Sequence, residues 1–186
     1  TLPKLEIIGG QAFYSSKGSL KGDFYCPALT NLGSGAFQNT KITSFDAPRL
    51  ATVSRNAFMS CANLSNVVVR GGGTIEQNCF ASVNIDSLII RVLGPAPTSI
   101  GSTPFIAISS GYDYPQVRVA RSKYLDDWLN LSRMTFTPFE TAKEHKTYKS
   151  YLGNTPEDRT IGLFTGKGAF WLVDDDTTKH TIFTLR

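Results

Sequence analysis

The sequence predicts a β-rich solenoid, in which short coils stack on one another, followed by a short capping helix and a small C-terminal antiparallel β-sheet. Two observations predict the solenoid: one short pattern recurs along residues 1–120, and a second, strand-like pattern falls between its copies. A fixed period of roughly 20 to 30 residues is typical of units that bury their apolar faces against their neighbours. We therefore expect a solenoid of about five coils over residues 1–120, a cap over 121–140 and a small β element over 141–186.

The first pattern is an aliphatic residue followed five positions later by Phe, usually with Ala just before the Phe. The Phe residues step by 24, 21, 22 and 25 positions, and the last copy is degraded: Phe13, Phe37, Phe58, Phe80 and Phe105. One large ring in every coil is expected to stack into a buried column inside the solenoid. The Ala or Cys before each ring then fits where the backbone turns toward the core.

The second pattern, apolar-x-x-apolar-x-apolar, lies between successive Phe residues. Its copies are Ile42-Phe45-Ala47, Leu64-Val67-Val69, Ile85-Leu88-Ile90 and Tyr114-Val117-Val119, with an earlier copy, Leu20-Phe24-Cys26, that carries one extra residue. Alternation places the last two apolar side chains on one face of a short strand, and strands one coil apart would pair in parallel. Pro-x-Leu segments beginning at Pro3, Pro27 and Pro48 then lead back into the first pattern.

The full repeat is clearest over residues 50–69. Leu50 and Val53 precede Ala57-Phe58, Cys61 follows, and the strand pattern Leu64-Val67-Val69 completes the unit. Together with a Pro after the strand, it resembles the BspA-type leucine-rich repeat, a class found in bacterial surface proteins. The Pro is replaced by Arg70, Arg91 and Ala120 in later copies, and residues 94–97 distort the last coil. The resemblance implies an extracellular, non-catalytic recognition module; it is also found beside catalytic domains and in phage-derived proteins, and it specifies no ligand.

Composition argues against several classes of protein. The chain has 186 residues, of which 41% are hydrophobic and 18% charged, as expected for an ordered globular protein. The net charge of +4 comes from Lys and Arg residues that are scattered without a run, so nucleic-acid binding has little support. No apolar run reaches the roughly 18 residues of a transmembrane helix, and we expect no membrane insertion. The chain opens inside a repeat, which suggests a mature or excised piece of a longer protein.

The three cysteines occupy repeat positions. Cys26 stands at an inward strand position, Cys61 three residues after Phe58, where the resembled repeats carry Cys, and Cys79 directly before Phe80. We expect all three to be small buried side chains. A Cys61–Cys79 bridge or a metal site has less support, because there is no Cys-x-x-Cys and both His residues lie far off in the sequence.

A short helix is expected over residues 122–131, after the last strand of the solenoid. Ser122 could cap it, and its buried side would carry Tyr124, Leu125, Trp128 and Leu129. Such a helix would cover the open end of the Phe column, as in the resembled family. Stacking of a carbohydrate on Trp128 is an alternative with less support.

The last 46 residues, 141–186, do not fit the repeat. Strand-like runs at 160–165, 169–173 and 181–185 predict a small antiparallel sheet, with the last two runs joined by a hairpin loop at 174–179. The three Asp residues at 174–176 could bind Ca²⁺, but they lack the alternating spacing and the Gly of a calcium loop. A solvated turn is therefore favoured.

Catalytic patterns are weak throughout. The Gly-rich segments at 33–35 and 71–73 lack the Lys-Ser/Thr of a phosphate loop, and there is no Gly-x-Ser-x-Gly elbow. His145 and His180 lie far from any candidate nucleophile. We expect no enzyme activity, no cofactor and no metal.

The residue between the last two inward positions of each strand must point outward, and these residues mark a candidate binding surface. These outward positions are Tyr25, Asp46, Val68, Ile89 and Arg118. Arg70 and Arg91, which directly follow the strand patterns that end at Val69 and Ile90, complete our list of candidates. The column would be apolar in the middle, at Val68 and Ile89. Three interpretations stay open: β-branched residues that merely favour a strand, a protein-binding patch rimmed by polar residues, or a surface that residues 141–186 cover.

Two functional classes remain, with a third behind them. The first is a secreted or bacterial cell-surface recognition module that binds a protein, such as one on a host or neighbouring cell. The second is a structural component of a larger assembly, such as a phage tail or surface layer. The third is an accessory domain of a secreted enzyme. The ligand and the oligomeric state stay open, and the mass in solution would separate the first two classes.

Overall fold

A computed structural model shows a solenoid whose main sheet is extended by the C-terminal part of the chain. It describes residues 2–16, 19–84, 87–105, 114–119, 121–131, 134–143, 160–166 and 169–175. The strands of the solenoid are β1 (Ile7–Ile8), β2 (Lys21–Tyr25), β3 (Asn31–Leu32), β4 (Lys41–Ala47), β5 (Asn66–Val69), β6 (Thr74–Ile75), β7 (Ile89–Val92), β8 (Ser99–Ile100) and β9 (Gln116–Val119). They are followed by α1 (Arg121–Leu129), β10 (Met134–Pro138), α2 (Phe139–Ala142), β11 (Thr160–Gly166) and β12 (Phe170–Asp174).

The main sheet has eight strands in the order β10-β11-β12-β9-β7-β5-β4-β2. From β2 to β9 its neighbours pair in parallel, one strand from each coil, as the strand pattern predicted. Strand β12 continues this parallel pairing beside β9, which the sequence pattern did not predict. Shorter parallel pairs, β1 with β3 and β6 with β8, join the coils elsewhere along their path. The coils therefore stack through two separate lines of strand pairing.

The predicted Phe column is confirmed. Ring centroids in successive coils lie 5.1 Å apart for Phe13 and Phe37, 5.7 Å for Phe37 and Phe58, 5.5 Å for Phe58 and Phe80, and 5.7 Å for Phe80 and Phe105. The three middle rings are fully buried, whereas Phe13 and Phe105 at the two ends are half-buried. Ala36, Ala57 and Cys79, which precede the middle rings, are also fully buried.

A tight turn around each Phe explains how the rings are held in register. The residues two positions before the Phe have positive φ angles: Gln11, Gly35, Asn56, Asn78 and Thr103. So do the residues two positions after it: Ser15, Asn39, Ser60 and Ser82. Residues other than Gly adopt this conformation at some energetic cost. The turn lets the N–H of the first four Phe residues donate to a carbonyl of the next coil, for example Phe58 to Cys79 at 2.9 Å.

The cysteines are buried parts of the core, as predicted. Cys26, Cys61 and Cys79 are free thiols with no exposed surface. Cys61 Sγ donates to the Phe37 carbonyl at 3.0 Å and lies 3.4 Å from the Thr40 hydroxyl, so it links two coils. Burial raises the pKa of all three thiols, which keeps them protonated and poorly reactive.

Helix α1 closes the end of the solenoid that follows Phe105. It begins at Arg121, which places Ser122 inside the first turn instead of at the predicted cap. Trp128 is fully buried and packs edge-on against Phe170, with ring centroids 6.0 Å apart, so its role is structural. Leu129 was predicted on the buried side but is 38% exposed, because the helix buries a narrower stripe.

The C-terminal strands form the predicted antiparallel arrangement with different partners. β11 pairs with β12 and with β10, a strand that the sequence did not reveal. β12 also pairs in parallel with β9, so these strands continue the solenoid sheet, and Phe170 extends the aromatic column 6.2 Å beyond Phe105. The predicted strand at 181–185 lies outside the described residues.

The hairpin loop predicted at 174–179 is wrong at its start. Asp174 still belongs to β12, and Asp175 is 4% exposed and paired with Arg91, so neither lies in a solvated turn. Residues 176–179 lie outside the described part of the chain. The domain boundaries at 120/121 and 140/141 stay a prediction.

Candidate functional site

The outward side of the main sheet, which we call the strand face, carries the predicted binding residues in a changed order. Strand pairing places Tyr25 beside Asp46, Asp46 beside Val68, Val68 beside Arg91 and Arg91 beside Arg118. Five of the seven predicted residues thus form one row across the strands. Ile89 points to the same face but lies outside this row, and Arg70 is exposed just after β5.

The sequence pattern placed Ile89 beside Val68, and this register is wrong by two residues, because Arg91 pairs with Val68. Val67 pairs with Ile90 and Val69 with Val92, whereas the sequence pattern had matched Val67 and Val69 to Leu88 and Ile90. Alternation identifies the face of a strand but not its register. Leu88, Ile90 and Val92 all point inward and are buried, so the pattern fits either register.

A second outward row was missed. It lies two residues before the first row on each strand, and the pairing joins its members in the order Asp23, Ser44, Asn66, Ile89 and Gln116. Because side chains on one face recur every second residue, counting back by two from Tyr25 or Val68 would have found most of it. The strand face is therefore two side chains wide.

The strand face is closed at its C-terminal end by the chain itself. Trp171 continues the second row beside Gln116, and Val173 continues the first row beside Arg118. Both are 1% exposed, in a small apolar cluster with Leu163 and Ala142 of helix α2. Among the residues that the structure describes, the C-terminal part covers the candidate surface at this end, which agrees with the third interpretation for this end. On strands β2, β4, β5 and β7 the outward side chains Tyr25, Asp46, Val68 and Ile89 keep exposed surface, and we call this the open part of the strand face.

Arg91 lies at the border between the open and the closed part. Its Nε donates to Asp175 Oδ2 at 2.5 Å, and the carboxylate side chain is only 5% exposed while the Arg91 side chain is 39% exposed. The neighbouring Arg118 donates from Nε and Nη2 to Gln116 Oε1, at 3.2 and 3.0 Å. These contacts hold both guanidinium groups against the protein, so this border has a fixed geometry.

The two carboxylates of the open part have different environments. Burial raises the pKa of Asp46, and the positive charge of Arg91 partly offsets this. Asp23 Oδ1 accepts hydrogen bonds from Thr43 at 2.6 Å and from Ser44 at 2.7 Å, and these bonds lower the pKa of Asp23. Asp23 therefore presents a charged group over a wider pH range than Asp46.

The apolar part of the open face is small. Val68 and Ile89 are half-buried and lie diagonally on neighbouring strands, since Val68 pairs with Arg91 and Asn66 with Ile89. Diagonal neighbours of this kind are roughly 7–8 Å apart, close enough for one partner side chain to contact both. Tyr25, 37% exposed on the edge strand, adds an aromatic ring at the far end of the row.

Two open depressions lie away from the strand face. One of about 350 Å³ is bordered by Arg55, Glu76 and Gln77, and one of about 510 Å³ lies between Pro95 and the helix residues Asp126 and Asp127. Within the described residues, no group of three or more His, Cys, Asp or Glu side chains is placed to hold a metal ion. Neither described helix is long and apolar enough to cross a membrane.

Comparison with known proteins agrees with the repeat. The model of the BspA type leucine rich repeat region matches residues 1–107 with six copies. No curated protein and no solved structure matches the chain. Repeats of this type serve protein–protein interaction and are typically associated with surfaces. The match covers more than half of the 186 residues, so the chain belongs to the BspA-type leucine-rich repeat family.

Proposed function

We propose that this protein is a non-catalytic recognition module, extracellular or displayed on a bacterial cell surface, that binds a protein partner through the open part of the strand face. The observation that supports this most is the Val68–Ile89 pair. Two adjacent, partly exposed apolar side chains are bordered by Asp46, Arg91 and Asn66, which is the composition of an interface centre with a polar rim.

The strand pairing of the sheet adds a second reason. The strands that carry the open face are held by parallel pairing on both sides, apart from the edge strand β2. Arg91 is fixed by Asp175. A surface that is ordered before binding loses less entropy on association. A protein on a host or neighbouring cell is the partner class that fits a face of this kind.

The proposal is tested by screening the chain against extracellular-matrix and cell-surface proteins, beside a Val68→Asp variant. Ile7→Asp is the matched control, since Ile7 is 63% exposed on β1, outside the main sheet. The proposal is supported if Val68→Asp weakens binding by at least about 10-fold, equal to about 1.4 kcal/mol, and Ile7→Asp leaves binding unchanged. Equal binding by both variants would place recognition elsewhere.

The mass of the chain in solution separates recognition from the assembly alternative. A monomer that binds its partner through the strand face agrees with the proposal. A defined oligomer that buries Tyr25 and Val68 would instead favour a structural component of a larger assembly.

A further inference from the structure

Arg91 has hydrogen-bond donors that the protein itself leaves unused. Its Nε donates to Asp175 Oδ2 at 2.5 Å, and its two Nη groups have no acceptor among the residues that the structure describes. The Arg91 side chain is 39% exposed and the Asp175 side chain 5%, so the exposed member of the ion pair is the cation. The Nη atoms of a guanidinium group form a planar fork that matches the two oxygens of a carboxylate.

Asp175 holds this fork in place from a distant part of the chain. It lies 84 positions after Arg91 and directly follows β12, and its N–H donates to the Val119 carbonyl at 2.8 Å. Backbone pairing with β9 thus positions the carboxylate that anchors a side chain of β7. A donor that is fixed before binding loses less conformational entropy when a ligand arrives.

The apolar pair of the open part lies directly beside Arg91. Val68 is the residue paired with Arg91 on β5, and Ile89 precedes Arg91 by two residues on the same face of β7. Neighbouring strands are roughly 5 Å apart, and alternate residues of one strand are roughly 7 Å apart. Two neighbouring side chains of a partner can therefore contact the apolar pair and the Arg91 fork together.

The charges of the first row differ on the two sides of Val68. Asp46 lies on one side and Arg91 on the other, and Arg118 follows Arg91. A carboxylate that approaches Val68 is repelled on the Asp46 side and attracted on the Arg91 side. The Asp175 carboxylate offsets part of this attraction, so the geometry of the Nη donors matters as well as the charge.

We propose that Arg91 is a carboxylate-binding residue of the strand face, and that the protein partner presents an Asp or Glu side chain next to an apolar side chain. The apolar side chain packs on Val68 and Ile89. The carboxylate accepts hydrogen bonds from both Nη groups of Arg91 while Nε stays on Asp175, which acts as a positioning residue. This inference rests on the proposed function, because it names the chemistry of the partner at the same surface.

The probe comes from a displayed library of random peptides selected on the immobilised chain. Only peptides whose binding Val68→Asp abolishes are kept, so that they report on the open part of the strand face. We expect these peptides to share an Asp or Glu close to a large apolar residue. Replacing that acidic residue by Asn or Gln gives an amide peptide, which should bind the parent chain at least about 10-fold more weakly.

Variants of Arg91 show whether this loss comes from the fork. Arg91→Gln should bind the acidic and the amide peptide equally, within about 2-fold. Arg91→Lys keeps the charge but not the fork, and should not restore the parent affinity for the acidic peptide. Arg55→Gln is the matched control, since it removes the same charge from the depression away from the strand face and should leave the difference between the two peptides unchanged. Circular dichroism checks that each variant is folded.

The positioning role of Asp175 is tested by the ratio of the two peptide affinities, which a general loss of structure would not change. Asp175→Ala should lower this ratio and leave the affinity for the amide peptide unchanged. Asp175→Asn, which keeps an acceptor for Arg91 Nε, should restore the ratio. A ratio that Asp175→Ala leaves at the parent value would contradict this role.

Failure of this inference differs from failure of the proposed function. Peptides that depend on Val68 but show no acidic preference, or an acidic preference that Arg91→Gln leaves unchanged, would overturn the inference and leave the proposed function standing. An Arg91→Lys variant that binds as tightly as the parent would also overturn it, because charge alone would then suffice. A library that yields no peptide dependent on Val68 would remove the proposed function and this inference with it.

Discussion

Replacing Phe58 by Ala should remove more stability than the same change at Phe13, because the column is covered on both sides only in its middle. Phe58 is fully buried and lies 5.7 Å from Phe37, 5.5 Å from Phe80 and 4.8 Å from Phe45, measured between ring centroids. A buried Phe→Ala change usually costs about 3–5 kcal/mol. We expect a value in that range for Phe58.

The estimate for Phe13 follows from the same contacts. Phe13 is half-buried and stacks on one ring of the column, Phe37, with a tilted contact to Phe24 at 6.1 Å. Because Phe13 is only half-buried and has one neighbour in the column instead of two, we expect a smaller destabilisation, of about 1–2 kcal/mol. Phe58→Ala therefore has the larger effect by a factor of about two to three.

Urea denaturation followed by far-ultraviolet circular dichroism measures both changes. Each coil of a solenoid contacts only its neighbours, so Phe58→Ala should also broaden the transition as the two halves uncouple. Phe58→Leu is the control that keeps a large apolar side chain and should lose less. Equal destabilisation by Phe13→Ala and Phe58→Ala, or a loss below about 1 kcal/mol for Phe58→Ala, would refute the stacking argument.

Three further predictions concern the ion pair, a close contact between coils and pH. Arg91→Ala removes the ion-pair partner of the buried Asp175 carboxylate. It should cost about 3 kcal/mol in urea denaturation, the low end of the range for buried pairs, because the Arg91 side chain is 39% exposed. The double change with Asp175→Ala should cost less than the sum of the two single changes. Gly33→Ala should cost about 1–3 kcal/mol, because the new Cβ would lie 2.2 Å from Gly10 N, while Gly9→Ala, with nothing within 4 Å, is the neutral control. Burial raises the pKa of Asp46 in the folded state. The protonated carboxyl therefore stabilises the fold below about pH 4, and this stabilisation is lost as the pH rises through the folded pKa. Asp46→Asn has no carboxyl to ionise, so the variant should be at least as stable as the parent at pH 7.

The repeat could be predicted because the same residue pattern, imposed by the same packing, recurs in every coil. A ring such as Phe37 or Phe58 must be preceded by a small residue and followed by an alternating strand, and several copies reinforce one another. The faces of the strands followed from alternation alone. The register of β7 did not, because Leu88, Ile90 and Val92 are all inward and only the paired strand selects between the two alignments.

Two C-terminal strands and their antiparallel pairing were predicted, but their contacts with the rest of the chain were not, because these contacts join distant residues. Arg91 and Asp175 are 84 positions apart, and nothing near Asp175 in the sequence distinguishes a buried partner from a solvated turn. β10 ends at Pro138, which suits an edge strand but gives a weak strand signal. The parallel pairing of β12 with β9 depends on the open end of the solenoid sheet, which only the completed coils create.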